Sequence, residues 1–95
     1  MSTDAGAAGG SRPRLARHAR LRFDPARDAW VLLGPERVLM PDAIAVEILR
    51  RCTGEATLDA IVADLAESYD ADPAEIARDV RALLQDLAAK GLVET

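Results

Sequence analysis

Leu32-Leu33-Gly34-Pro35-Glu36-Arg37-Val38-Leu39-Met40 reads as strand, tight turn, strand. Gly-Pro-Glu presets a reversal, because proline fixes φ at a turn position and glycine relieves the neighbouring geometry. Three helical patterns follow, with no further strand predicted to cover the second arm. A small sheet that stops there leaves one row of backbone N–H and C=O groups unpaired. Such an edge is either protected or used to bind an extended peptide, and use is the reading favoured here.

Working back from that hairpin, Leu15 to Asp24 alternates imperfectly, with Leu21 and Phe23 on one face and Arg20, Arg22 and Asp24 on the other. Period two predicts a half-buried strand, best over Ala19 to Phe23. Asp24-Pro25-Ala26-Arg27-Asp28 is a turn sequence, and Ala29 to Leu33 a second strand. Arg37 to Met40 is the third, so the strands form a meander with the second one central.

Working forward, Pro41 ends the third strand and Asp42 can cap a helix over Ala43 to Cys52. Its residues Ile44, Ala45, Ile48, Leu49 and Cys52 share one face. Gly54 then supplies a left-handed stop. Thr57 caps a second helix whose inward residues are Leu58, Ile61, Val62, Leu65 and Tyr69. Asp72-Pro73-Ala74-Glu75 opens the third, with Ile76, Val80, Leu83, Leu84 and Leu87 as its apolar stripe. Lys90 and Gly91 close it, and Leu92-Val93 can fold back on it. Three strands then three helices predict an α+β domain: a three-stranded antiparallel meander followed by a three-helix bundle, in a winged helix-turn-helix-like order.

The chain has 95 residues, enough for a single domain with one modest core. One cysteine, Cys52, and one histidine, His18, are too few for a disulfide framework or a zinc cluster within one chain. No apolar run is long enough to span a bilayer, and Met1 to Gly10 lacks the basic start and apolar centre of a secretion signal, so a cytoplasmic location is expected. Small polar residues at the start predict a disordered tail over residues 1–11, with one peptide-binding domain over 12–95.

Charge is unevenly spread. Ser11 to Arg37 holds seven arginines against three acids, whereas Val38 to Thr95 holds five basic and twelve acidic residues, within a net charge of −4. A cationic front and an acidic back suit a protein or peptide partner better than a nucleic acid or a membrane.

Three functional classes compete. Catalysis would need a nucleophile and base within hydrogen-bond reach, but His18 sits in the Arg-rich arm far from Cys52, and the carboxylates fall where helices face water. There is no glycine-rich phosphate loop. A winged-helix DNA reader is the alternative, yet its recognition helix would carry Arg78, Arg81, Gln85 and Lys90 against Glu75, Asp79 and Asp86. Peptide recognition needs only the free edge and a wall. On a helical wheel Ala77, Arg81, Leu84 and Ala88 lie along one flank of the third helix, and the two alanines leave room for a ligand side chain. The plainer account is that the alanines favour helix and Leu84 is core. A free edge also lets two copies pair, so a homodimer stays open.

The residues Leu21-Arg22-Phe23-Asp24, Trp30 through Arg37, Ile48-Leu49 with Cys52, and Thr57 with Ile61 and Leu65 together resemble the PqqD family, the RiPP recognition element of pyrroloquinoline quinone biosynthesis. Tyr69-Asp70, Asp79-Val80 with Leu84 and Leu87, and Gly91-Leu92 extend the resemblance across Pro13 to Val93. Thr53-Gly54 departs from it, where the family favours Asp-Gly. The resemblance implies a non-catalytic peptide chaperone. It would bind the precursor peptide PqqA by strand addition and present it to the radical S-adenosylmethionine enzyme PqqE, which cross-links a Glu and a Tyr. It implies a leader strand beside Arg37, Val38, Leu39 and Met40, packed on Ala77, Arg81, Leu84 and Ala88. Iron–sulfur clusters and S-adenosylmethionine would belong to the partner, and no cofactor is expected in this chain.

Overall fold

Three capped helix starts set the second half of the chain. In the computed structural model, which describes residues 9–95, Asp42, Thr57 and Asp72 each sit in extended backbone and accept from the N–H of Ala45, Ala60 and Ala74. They open α1 (Ala43–Arg50), α2 (Leu58–Ser68) and α3 (Pro73–Ala89). Each carboxylate or hydroxyl satisfies a donor that the first helical turn leaves without a partner. α1 is shorter than expected, since Arg51 and Cys52 hydrogen-bond in a tighter turn to Ile48 and Leu49.

Both later helices end through a left-handed residue. Gly91 (φ 76°) follows α3, and Leu92 N–H reaches back to Leu87 O at 2.9 Å. Asp70 (φ 51°) does the same after α2, with Ala71 N–H on Ala66 O. That turn carries Tyr69, the C-cap, out of the helical register. Tyr69 is therefore 45% exposed instead of inward as its spacing predicted.

Strands β2 (Arg20–Asp24), β3 (Ala29–Leu33) and β4 (Val38–Leu39) form an antiparallel meander in that order, as expected. Leu21 pairs with Leu32, and Leu32 with Leu39. Directly paired residues share a face, so these three point to one layer with the helices. Leu32 is buried with Ile48, Leu58, Ile61, Leu65, Val80, Leu84, Leu87 and Leu92, and Leu21 and Leu39 pack against that cluster. Phe23, at the end of the same face, is 43% exposed. It meets the Trp30 ring edge-on at 5.7 Å, with Arg50 over Trp30 at 5.8 Å.

Two short strands were not predicted. The chain does make a further strand, β5 (Val93–Glu94), but β5 pairs with β1 (Arg14–Leu15) in a separate two-stranded sheet and not with β4. Arg14 Nε donates to Glu94 Oε1 at 3.0 Å, and Ala16 N–H to Leu92 O at 2.9 Å. The other side of the arm is held too: Gly54 N–H donates to Pro13 O, and Arg12 to the Glu55 carbonyl. Two-residue strands carry too little alternation to be read from sequence. Of the expected tail, residues 1–8 lie outside the described residues. Gly9 O and Ser11 O accept from the Asp59 and Leu58 N–H groups at the start of α2.

Candidate functional site

The phase of the β3–β4 ladder decides what the edge offers. Gly34 N–H donates to Arg37 O at 2.9 Å, which makes Gly34 and Arg37 a hydrogen-bonded pair. Antiparallel pairs alternate, so Leu32 with Leu39 is the next bonded pair and Leu33 with Val38 the open one. The N–H and C=O of Val38 therefore point away from β3, and those of Met40 follow by the same alternation. Among the described residues, neither is engaged by a turn, loop or cap backbone bond. β4 is an edge with orphan groups. It is also shorter than expected, since Arg37 and Met40 flank the ladder instead of belonging to it.

The two edges of the sheet differ in chemistry. β2 carries Arg20, Arg22 and Asp24, and charge on an edge strand blocks casual pairing. At the β4 edge, Val38 and the Met40 just past it are 55% and 54% exposed, with Arg37 as the one charge beside them. An incoming strand would meet less opposition at β4.

The segment after α3 and α3 itself meet the chain just before and just after β4. Before β4, a methyl on Gly34 would lie 2.5 Å from Cδ2 of buried Leu92, so the hairpin closes tightly on the segment after α3 and a larger residue would displace that side chain. After β4, Asp42 and Ile44 line a hollow of about 310 Å³ with Ala45, Ile48, Asp79 and Leu83. It adjoins a smaller apolar cleft in which Ile44, Ile48 and Asp79 meet Leu65, Tyr69, Ile76 and Val80. Ile44 is 39% exposed there, so part of the face assigned to the core is open.

The flank of α3 beside this hollow is that of Asp79 and Leu83. Ala77, Arg81 and Ala88 lie roughly 120–180° round the helix axis from those two. Ala77 and Arg81 are half-buried, Ala88 is exposed, and Leu84 is 3% exposed within the core cluster. Leu84 is thus a core residue and not an open wall. Leu39 is half-buried against the cluster that holds Leu84, while Arg37, Val38 and Met40 are exposed. The apolar stripe of α3 is legible in sequence, but which flank meets α1 is not. By period alone Leu83 belongs to the core stripe and Asp79 to the water-facing carboxylates.

Among the described residues, His18 and Cys52 are not assembled with a partner for catalysis. His18 is exposed. Cys52 is 3% exposed, its thiol donates to Ile48 O at 3.2 Å, and burial pushes it up to about 11. Among the described residues there is no group of three or more His, Cys, Asp or Glu side chains placed to hold a metal, and no helix is long and apolar enough to cross a membrane. Arg51 holds α1 to α2 by donating to Glu47 at 2.8 Å and Asp64 at 2.6 Å, and those carboxylates raise its affinity for the proton.

Comparison with known proteins supplies an independent view. The sequence profile of the family "Coenzyme PQQ synthesis protein D (PqqD)" matches residues 29–93. A "PqqA binding protein" of Rhodopseudomonas palustris is 60% identical over 83 residues, covering 87% of this chain and 81% of the relative. The bifunctional coenzyme PQQ synthesis protein C/D of Methylorubrum extorquens is 45% identical over 82 residues, 86% of this chain but 22% of that longer protein. The solution structure of the PqqD truncation of Methylobacterium extorquens PqqCD, described as a stand-alone RiPP recognition element, superposes with a TM-score of 0.79 at 43% identity, covering 93% of this chain and 94% of that one. The crystal structure of PqqD from Xanthomonas campestris gives 0.56 at the same 43%, covering 87% and 92%.

Proposed function

Since the chain belongs to the PqqD family, we propose that it binds the PqqA precursor peptide by strand addition at the β4 edge and has no catalytic step of its own. The observation that carries this reading is the outward-facing, unengaged backbone of the apolar pair Val38 and Met40. The peptide's N–H and C=O groups pair with them, and every second peptide side chain turns toward α3. Main-chain bonds at about 1 kcal/mol each do not reach the roughly 8 kcal/mol of micromolar affinity on so short an edge, so side-chain anchors must supply the rest. The hollow between Ile44 and Leu83 is the anchor site, and the Asp79 carboxylate at its rim favours a cationic or amide group on the peptide.

This wall replaces Ala77, Arg81 and Ala88 as the binding flank, and Leu84 supports it from the core. The resemblance described above supports PqqE as the enzyme to which the bound peptide is presented, with the cytoplasm as the place. A homodimer formed through β4 edges would use the same amide groups as the peptide, so loading would dissociate it. For DNA, α2 and α3 offer a surface in which acids outnumber bases.

An amide chemical-shift map on adding PqqA tests the proposal. Shifts should concentrate on Val38 to Ile44 and on Asp79 to Lys90. Shifts confined to α2, or to the Ala77–Ala88 flank without β4, would overturn it.

A further inference from the structure

The face of the meander turned away from the helices is also built. By register, Arg22 sits opposite Val31, Arg20 opposite Leu33, and Val38 beside Leu33, all on that outer face. Val31 is 6% exposed although it lies outside the main core cluster. The stems of Arg22 and Arg27 line, with Val31, Leu33 and Val38, a hollow of about 290 Å³. Arg27 reaches across this face from the β2–β3 turn: its Nε lies 3.4 Å from Asp24, and its Nη1 3.7 Å from Met40 Sδ. Among the described residues, Arg20 and Arg22 hold no ion pair or side-chain hydrogen bond. The face therefore combines two unmatched guanidinium groups with half-exposed Val38 and Met40.

From this we infer that the outer sheet face docks an acidic, apolar-centred surface of the enzyme that receives the peptide, an inference that rests on the strand-addition reading. Charge complementarity selects such an occupant: unpaired arginines held beside an apolar centre suit carboxylates, which they grip in bidentate fashion. An interface with an apolar centre and a charged rim has the same composition. Position adds a second argument. A strand added to β4 alternates its side chains between the α3 wall and this outer face, next to Val38 and Met40. A protein seated on the outer face touches the presented peptide directly, without entering the α3 hollow.

The test compares wild type with Arg20→Glu/Arg22→Glu, both on the strand remote from the β4 edge. Binding to PqqE and to PqqA is measured separately, with circular dichroism as the fold check and Arg20→Gln/Arg22→Gln as a milder second pair. The charge-reversed pair should weaken PqqE binding by about tenfold or more, the glutamine pair by less, and PqqA affinity should stay within about twofold. The wild-type affinity for PqqE should also fall as salt is raised. Unchanged PqqE affinity in a folded variant overturns this inference and leaves the edge reading intact. Loss of a self-associated species on charge reversal, seen by sedimentation, overturns it in favour of a contact between copies. Failure of wild type to bind PqqA at all refutes the strand-addition reading itself.

Discussion

Replacing Met40 by proline tests the edge with little cost to the fold. In the ladder phase set by Gly34 and Arg37, the Met40 N–H points outward, so its loss removes no bond to β3. Met40 is 54% exposed, and its one polar contact among the described residues is the weak approach of Arg27 Nη1 at 3.7 Å. Leu39 before it is paired in extended backbone, which a following proline tolerates. Folding stability should therefore change by less than about 1 kcal/mol. Binding should suffer more. Val38 and Met40 supply two outward donors, and deleting one costs about 1 kcal/mol, with roughly another for the ring standing where the peptide carbonyl must approach. Titration calorimetry with PqqA should show Kd rising roughly 5- to 30-fold, while urea denaturation stays near wild type. A folded Met40→Pro protein whose affinity lies within twofold of wild type would refute the reasoning.

Three other outcomes follow from the same geometry. Leu83→Glu should weaken PqqA binding by about tenfold or more, whereas Ala88→Glu on the opposite flank should leave it within about twofold; calorimetry with the reverse ranking would return the wall to the Ala77–Ala88 side. Gly34→Ala forces a methyl to within 2.5 Å of buried Leu92 Cδ2, so thermal or urea unfolding should show a loss of about 1–3 kcal/mol. Burial holds the Cys52 thiol at about 11 against an ordinary 9.0, so the unfolded chain releases this proton first as pH rises. The neutral thiol's contribution to stability is complete below about pH 9 and declines between 9 and about 11, a slope that Cys52→Ala should remove.

The parts legible in sequence were those written in strong local chemistry. Asp42, Thr57 and Asp72 each precede an apolar period and bind the first turn of their helix, which fixes three helix starts. The meander follows from alternation about two short turns. The parts that were not legible depend on how elements meet. β1 and β5 are two residues each and exist because Leu92 and Val93 return beside Ala16 and Leu15, a contact between the two ends of the chain. Tyr69 fits the α2 period but sits past its last turn, where the positive φ of Asp70 redirects the chain. The edge itself was visible as a strand with nothing after it to cover it. A helical wheel shows two flanks of α3: α1 meets that of Asp79 and Leu83, and the ranking of Leu83→Glu against Ala88→Glu decides which one the peptide uses.

Hydrogen–deuterium exchange of the Val38 amide, followed by NMR with and without PqqA, is the most direct measurement. The account predicts a freely exchanging N–H in the unloaded protein that becomes strongly protected, by an order of magnitude or more, once the peptide is bound. A Val38 amide already protected without peptide, or equally exposed at saturation, would contradict it.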